Sequence, residues 1–325
     1  MNGSLTNILH LSDIHFGMES LDNKPTAYAK RKNALEGLVS TIKELNIEDR
    51  PQVIVITGDI TWRGTALGFD QARIWINSLL EDLAVPKGNL IICPGNHDID
   101  RDEAIGVLPP QSSKDADKWL SIEHYNKFIR PFHKFMDFSS ALDIPTLKLH
   151  NDESNRLVGY RDVENLRFLV MNSAWFSRGN EDRGKLWLGL PQLEVMTSDG
   201  VLDRKNDLKP TIALVHHPKE WFHDEEQNTY ANRPSTYRYL AERCHIILSG
   251  HVHGSIEKPS VINDSSYLIT GGASYAGENY RNNFSILKVD SALYTVTQIP
   301  FEYDPGKDEW NERRRENFSL KKKII

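Results

Sequence analysis

The chain alternates short apolar runs with longer segments in which apolar residues recur every three or four positions. The short runs are continuous and rich in Leu, Ile and Val, which is typical of strands that are covered on both faces. They predict strands over residues 7–11, 53–57, 90–93, 167–171, 211–215, 245–249, 267–270, 284–289 and 294–299. The longer segments predict helices over residues 26–45, 66–83, 119–139 and 235–243.

The alternation of strands and helices predicts an α/β fold in which helices cover a sheet core. The early units have the strand–helix–strand order of parallel sheets. The last three predicted strands instead follow one another after short turns, and we expect them to form the antiparallel end of a mixed sheet.

Residues 99–159 interrupt this rhythm. They begin with a loop rich in Pro, Ser, Lys and Asp and continue into helix 119–139, whose aromatic residues we expect to pack on the core. We interpret this segment as an insertion, a lid or substrate-side wall, within a catalytic domain that spans residues 1–300. Residues 301–325 form a basic tail with an apolar end, at which a partner protein or further domain is a candidate to dock.

The overall composition is that of a globular protein, with 325 residues of which 39% are hydrophobic and 26% are charged. A net charge of −6 argues against a chain-wide electrostatic contact with nucleic acid or an anionic membrane. Cys93 and Cys244 lie in apolar runs, so we expect buried free thiols, as suits a reducing compartment. We recognise neither a signal peptide nor a run long enough to cross a bilayer, and therefore expect a cytoplasmic protein.

Polar residues that can bind metal ions follow five of the predicted strands, at the point where each strand ends. Six of the 12 histidines lie in these five strings. Because ligands bind at the carboxyl ends of strands in open α/β sheets, we expect the strings to meet at one edge. The strings are LSDIHFG with Asp13 and His15, ITGDITWRG with Asp59, CPGNHDID with Asn96, His97 and Asp98, ALVHHP with His216 and His217, and LSGHVHG with His251 and His253.

The donors in these strings are carboxylate, amide and imidazole groups without sulfur. This set suits divalent or trivalent ions such as Mn, Fe, Zn or Ni. Each string alone is a weak indicator, but all five in this order, each after a strand, are specific for a metal centre.

Together the strings resemble the blocks of the calcineurin-like metallophosphoesterase superfamily, whose pattern runs D-x-H, GD, GNH-D/E, H and GHxH. The resemblance covers residues 9–254 and implies a four-layer α/β/β/α sandwich of two mixed sheets with a two-metal centre. His97 matches the family's proton-donating histidine, which is not a metal ligand. The ligands that the resemblance implies are Asp13, His15 and His253 for one ion, Asn96, His216 and His251 for the other, and Asp59 as the bridge between them.

The resemblance implies hydrolysis of a phosphate ester, in which hydroxide held between the two ions attacks phosphorus while His97 protonates the leaving group. Arg63 is a candidate to bind the substrate phosphate, and an arginine that caps a surface loop is the alternative. His217 is a candidate for substrate binding, with a packing role equally open. Asp98 is expected to orient a backbone segment or a ligand.

The second block departs from the protein Ser/Thr phosphatases, in which it reads GD-x-x-D-R-G and its extra Asp orients the catalytic histidine. Here Trp62 stands at that position, which weakens a protein-phosphatase interpretation and leaves the partner of His97 open. The second block and the VHHP string look more like the class III cyclic nucleotide phosphodiesterase branch.

Our first interpretation is therefore a phosphodiesterase that acts on a nucleotide-type substrate. The alternatives are a nuclease acting on DNA or RNA, which the basic stretch 30–32 and the tail favour, and then a phosphomonoesterase. A scaffold that has lost catalysis is the alternative of another class, and the presence of all seven ligand positions argues against it.

Overall fold

The computed structural model describes residues 4–21, 25–179, 181–202, 209–254, 258–262, 266–277 and 280–321. Its strands are β1 (Leu5–Leu11), β2 (Val53–Thr57), β3 (Leu90–Cys93), β4 (Leu147–Leu149), β5 (Asp152–Asn155), β6 (Gly159–Val163), β7 (Leu166–Met171), β8 (Thr211–Val215), β9 (Ile246–Ser249), β10 (Ser260–Ile262), β11 (Ser266–Thr270), β12 (Asn283–Asp290), β13 (Thr295–Asp304), β14 (Glu309–Glu312) and β15 (Glu316–Ser319). Its helices are α1 (Pro25–Glu44), α2 (Ala66–Asp82), α3 (Arg101–Ala104), α4 (Ser113–Trp119), α5 (His133–Ala141), α6 (Leu190–Ser198), α7 (Asp224–Gln227) and α8 (Thr236–Arg243).

The strands form two mixed sheets. The first has the order β14-β13-β12-β1-β2-β3, with β15 also paired to β13, and the second has the order β10-β11-β9-β8-β7-β6-β4-β5. In the first sheet β1, β2 and β3 are parallel, and in the second β7, β8, β9 and β11 are parallel. The antiparallel strands lie outside these two parallel groups.

The two sheets pack face to face. Ile8 and Val55 of the first sheet share one buried apolar cluster with Phe168 and Leu214 of the second. Neighbouring residues such as Leu9 point the opposite way, because successive side chains of a strand alternate between its faces, and they belong to a second cluster with residues of the helices. Both faces of the central strands are thus covered, which confirms the predicted α/β/β/α sandwich of two mixed sheets.

The predicted helix 119–139 is wrong. In the structure α4 ends at Trp119, short 3₁₀ turns follow, and α5 begins at His133. Pro131 lies in one of these turns, and it has no N–H to donate to a continuous helix. The expected core packing of the aromatic residues is nevertheless confirmed, since the structure buries Tyr125, Phe132, Phe135 and Phe138.

The predicted antiparallel end is wrong in one strand. The strand at 267–270 corresponds to β11, which lies in the second sheet and is parallel to β9, whereas β12 and β13 form the expected antiparallel pair in the first. The chain thus changes sheets after β11, so the order of strands along the sequence did not indicate their partners.

Two segments singled out in the sequence also contain strands. Within residues 99–159, β4 and β5 extend the edge of the second sheet, and within residues 301–325, β14 and β15 pair with β13. Residues 322–325 at the end of the tail lie outside the described residues. The division into a domain, an insertion and a tail stays a prediction.

Cys93 and Cys244 are buried free thiols, as expected. Burial raises the pKa of the Cys93 thiol, which keeps it protonated. In the described ranges, no helix combines the length and the apolar character that crossing a membrane requires.

Candidate metal centre

The parallel strands bring the predicted site residues to one edge. The register pairs Leu11 of β1 with Ile56 of β2, and Thr57 of β2 with Cys93 of β3, so the three strands end nearly level. The loops that follow carry the first three strings, and the loops after β8 and β9 of the facing sheet carry the other two. The expected meeting of the five strings is therefore confirmed by the sheet topology.

Four of the candidate metal ligands have an unusual backbone conformation. The φ angles of Asp13, His15, Asp59 and His251 are 50°, 54°, 51° and 70°, in the left-handed region that side chains disfavour. Hydrogen bonds hold this conformation, because the Asp13 and His15 amides donate to the Gly58 and Asp59 carbonyls at 3.1 and 3.0 Å. Such concentrated backbone strain is typical of functional sites.

Glycine is required where these loops touch. A Cβ on Gly95 would lie 2.2 Å from Asp59 Oδ1 and 2.4 Å from the Asp59 amide nitrogen. A Cβ on Gly250 would lie 1.9 Å from Ser12 Oγ. The glycines of the GNH and GHxH strings therefore let two loops pack directly on the carboxylate residues.

The first cluster of donor atoms consists of Asp13, His15 and His253. His253 Nε2 lies 3.3 Å from Asp13 Oδ1 and 3.1 Å from His15 Nε2, and His15 Nε2 lies 3.9 Å from the same carboxylate oxygen. The other oxygen, Oδ2, accepts hydrogen bonds from Ser12 Oγ at 2.5 Å and from the His251 amide at 2.9 Å. One oxygen is thus held by the protein while the other faces the histidines.

The second cluster surrounds His216, whose Nε2 lies 3.1 Å from Asn96 Oδ1, 3.2 Å from His251 Nδ1 and 3.4 Å from Asp59 Oδ2. Its Nδ1 donates to the Thr57 carbonyl at 2.7 Å, so Nε2 is the nitrogen that can bind an ion when the ring is neutral.

Asp59 lies between the two clusters. Its Oδ1 accepts the His97 amide at 2.7 Å. Its Oδ2 lies 3.9 Å from His15 Nε2 in one cluster and 3.4 Å from His216 Nε2 in the other. This is the position that a bridging ligand requires.

The residues fit a metal centre. In each of the groups Asp13–His15–His253, Asp13–Asp59–His216 and His216–His217–His251, the candidate donor atoms lie within 4.8 Å of one another. Imidazole nitrogens that face each other at 3.1 Å cannot both carry a proton, whereas a shared cation would satisfy both lone pairs. The donor set of nitrogen and oxygen atoms is also the one that such ions prefer.

Comparison with known proteins identifies the family. A family model described as calcineurin-like phosphoesterase matches residues 6–255. The chain belongs to this family. Membership places it among the metallophosphoesterases and implies a dinuclear metal site, which the residues of the two clusters are suited to form.

One curated relative and one solved structure show how far the likeness extends. The uncharacterized metallophosphoesterase-like protein YydB of Bacillus subtilis is 24% identical over 314 residues, which are 93% of this chain and 59% of YydB. The chain therefore spans about three-fifths of the length of that relative. A dimetal phosphatase from Danio rerio matches with a TM-score of 0.55 and 12% identity, over 97% of this chain and 99% of the other. The structural likeness shows a shared fold.

Burial and the two carboxylates set the charge state of the phosphoesterase's histidines. Burial disfavours a charged His216, but Asp59 and Asp13 outweigh it and raise its pKa to about 9. At His15, by contrast, burial prevails over the same carboxylates and lowers the pKa to about 3. Burial and then repulsion from His216 lower the pKa of His251 to about 4. Despite their burial, both carboxylates keep lowered pKa values beside these histidines, so they stay ionised before a cation binds.

The structure supplies the partner of His97 that the sequence left open. The His97 ring stacks on Trp62, with ring centroids 4.2 Å apart and planes 16° from parallel, and lies edge-on to His15 at 5.1 Å. Burial lowers the pKa of His97, against the attraction of Asp59. The aromatic residue that replaces the phosphatases' Asp thus fixes the imidazole by its face rather than by a hydrogen bond.

Asp98 orients backbone, as expected. Its buried carboxylate accepts the amides of Ile60, Thr61 and Gly95 at 3.2, 2.8 and 3.0 Å, and the Thr61 hydroxyl at 3.2 Å. Burial, reinforced by Asp59, raises its pKa to about 7, and the backbone donors oppose that rise. The side chain joins the loop of the phosphoesterase that bears Asp59 to the loop that bears Asn96.

The two predicted substrate contacts differ in placement. Arg63 is exposed, with its guanidinium 5.8 Å from the centroid of the Trp62 ring. His217 is buried in the second cluster, with Nε2 3.1 Å from Asn96 Oδ1 and Nδ1 2.8 Å from Ser173 Oγ. Both roles stay predictions.

The basic stretch 30–32 proved misleading, because Arg31 does not contribute to a basic surface. It is buried, pairs with Glu19, and donates to the carbonyls of Ile14 and, at 3.2 Å, His15. Arg31 therefore anchors the loop that carries the first two candidate ligands. No sequence signal distinguished this arginine from its exposed neighbours.

Proposed function

We propose that this chain uses two metal ions to hydrolyse a phosphodiester of nucleotide type. The observation that carries the proposal is the convergence of seven donor side chains from five loops on two adjoining clusters. The proposed ligands are Asp13, His15 and His253 for one ion, Asn96, His216 and His251 for the other, and Asp59 for both. Mn, Fe, Zn or Ni suit these donors.

When bound, two such ions neutralise the charge of a phosphoryl group and lower the pKa of water enough to supply a nucleophile near neutral pH. Asp59 and Asp13 offset part of the positive charge and hold the ligand sets together. Asn96 adds a donor without adding negative charge, so the loaded site retains a positive charge that attracts the substrate.

His97 is proposed to protonate the leaving oxygen. Its ring adjoins the first cluster through His15 and stacks on Trp62, and its backbone amide donates a hydrogen bond to Asp59. A leaving alkoxide requires a proton, and an imidazole that binds no metal is suited to deliver it.

Aromatic side chains around the clusters support a nucleotide-type substrate. Tyr280 is 43% exposed and lies edge-on to His253 with ring centroids 5.0 Å apart. Trp221 is half-buried and lies 4.0 Å from the His251 ring. Exposed aromatic faces bind bases by stacking, and Arg63 is proposed to contact the phosphate between them.

The proposal is tested by the hydrolysis of bis(p-nitrophenyl) phosphate. The purified chain is supplied with each candidate metal in turn. We expect turnover with at least one metal. His97→Ala should lower turnover while both ions stay bound, and Asp59→Asn should lower occupancy at both sites, whereas His133→Ala on the exposed surface should do neither. An absence of turnover with every metal, while two ions are bound, would favour the scaffold interpretation.

A panel of natural diesters then defines the substrate. It should contain cyclic mononucleotides, cyclic dinucleotides, glycerophosphodiesters, single- and double-stranded DNA, and RNA. Preference for the cyclic nucleotides supports the class III-like branch, and preference for polymers makes the chain a nuclease. A cytoplasmic location and a partner at residues 301–325 are also proposals, which cell fractionation and affinity purification with and without that segment test.

A further inference from the structure

A cavity of about 230 Å³ is lined by Arg101, Ala104, Ile105, Gly106 and Arg178. Its lining residues come from the segment after the GNHD string and from the loop after β7. Neither arginine belongs to the five strings that carry the candidate ligands.

The guanidinium of Arg101 has unused hydrogen-bonding capacity. Its Nε and Nη2 atoms are buried and have no hydrogen-bond partner among the residues that the structure describes. Buried guanidinium donors are costly to leave unpaired, so an acceptor from outside the chain is expected to occupy this position. A phosphate offers several acceptor oxygens in the geometry that the planar guanidinium matches.

The surroundings of Arg101 carry charge of both signs, because Arg63 repels its guanidinium while Asp59 and Asp182 attract it. Burial and then repulsion from Arg63 lower the pKa of Arg101, which places these two like charges near each other. Asp182 attracts Arg101, but its Oδ2 is already shared by Ser177 Oγ and the amides of Arg178 and Gly179 at 2.6–2.9 Å. An anion in the cavity would relieve the repulsion between the arginines.

The backbone holds Arg101 at a fixed position relative to the metal centre. The preceding residue, Asp100, donates its amide to the Pro131 carbonyl at 2.8 Å and pairs with Lys134 at 2.8 Å. The loop of Arg63 is joined to the same region, because the Gly64 amide donates to the His97 carbonyl at 2.6 Å. The arginines are therefore positioned next to the proposed proton donor.

We propose that Arg101 and Arg178 form a subsite that binds a second phosphate group of the substrate, separate from the one that is hydrolysed. This inference rests on the proposed function. The substrate class that it names is a phosphodiester that also bears a terminal phosphate. Arg178 donates a hydrogen bond from one guanidinium nitrogen to the Val107 carbonyl and lines the cavity.

Two chromogenic diesters that differ in one phosphate test the subsite. The p-nitrophenyl ester of thymidine 5′-phosphate has only the scissile group, and its 3′-phosphorylated form adds a second phosphate. We expect the 3′-phosphate to raise kcat/KM by about tenfold, mainly through KM, as one charge-assisted contact would. Arg101→Gln and Arg178→Gln should reduce this preference toward one, whereas Arg130→Gln, an exposed arginine of the same insertion, should retain it. A preference that is missing, or that survives Arg101→Gln, overturns the proposal.

A binding experiment without metal separates the subsite from catalysis. Inorganic phosphate is titrated calorimetrically into EDTA-treated protein, so that no bound metal contributes to the binding. We expect binding that Arg101→Gln weakens at least about tenfold and Arg130→Gln does not. Absent or Arg101-independent binding contradicts the subsite. Failure of every diester to react, with this binding intact, contradicts the proposed function alone.

Discussion

Replacing Asp98 by alanine should destabilise the protein and weaken its metal binding together. The side chain is fully buried and accepts three backbone amides and one hydroxyl from the two loops that hold Asp59 and Asn96. A methyl group cannot replace any of these acceptors, and the cavity it leaves is closed to solvent.

The expected magnitude follows from the donors that are left unpaired. Each buried donor without an acceptor costs about 1–3 kcal/mol, so the three amides alone predict a loss of at least about 3 kcal/mol. That is a large part of the roughly 5–15 kcal/mol by which folded domains are stable. Asp98→Asn keeps one acceptor oxygen but turns an amide group toward the remaining donors, and should fall between the wild type and Asp98→Ala.

Urea unfolding monitored by tryptophan fluorescence measures the stability, and calorimetric titration with Mn²⁺ measures the affinity. Asp70→Ala is the matched control, because Asp70 is exposed and forms a surface ion pair with Arg73. Such a change should stay within about 0.5 kcal/mol. Equal stability and Mn²⁺ affinity in Asp98→Ala and Asp70→Ala would refute the reasoning.

Three further changes probe the supports of the site. Burial lowers the pKa of His10 from 6.5 to about 4, against the attraction of Asp13. The folded protein therefore holds this ring neutral, and below pH 6.5 protonation of the ring in the unfolded chain opposes folding. Metal-free protein should therefore lose roughly 3 kcal/mol of stability as the pH falls from 6.5 to 4, as measured by urea unfolding at each pH. His10→Gln should reduce this pH dependence of the stability, and the surface change His133→Gln should not. Gly95→Ala should abolish the binding of two metals per chain, which elemental analysis measures. Gly88→Ala should not, because there is open space around a Cβ at that position. Arg31→Ala leaves a buried carboxylate without its partner and should cost about 3–5 kcal/mol in urea unfolding, and a loss below about 1 kcal/mol would contradict its anchoring role.

The central strands could be predicted because both of their faces are buried. β2 and β3 have the predicted bounds, since a continuous apolar run ends where the chain leaves the core. β14 and β15 were not predicted, because their sequences EWNE and ENFS are largely polar. They pair at the edge of the sheet, where partner strands and not apolar runs determine the structure.

The insertion shows a different limit of sequence reasoning. Aromatic spacing correctly indicated which side chains pack on the core, but irregular turns can bury the same residues as a helix does. Pro131 was the available signal against a continuous helix.

The candidate site was predictable as far as it depends on strand ends. Parallel strands bring the residues after them to one edge, so the polar strings alone predicted that their side chains would meet. The contacts of Trp62 with His97 and of Arg31 with the first loop depend on how distant segments pack. Nothing in the local sequence specifies those contacts.

The two-metal centre is tested most directly by a crystal structure of the Mn²⁺-loaded chain with anomalous diffraction data. We expect two anomalous peaks about 3.5–4 Å apart, both within coordination distance of the Asp59 carboxylate. A single peak, or peaks that Asp59 does not contact, would contradict the shared centre.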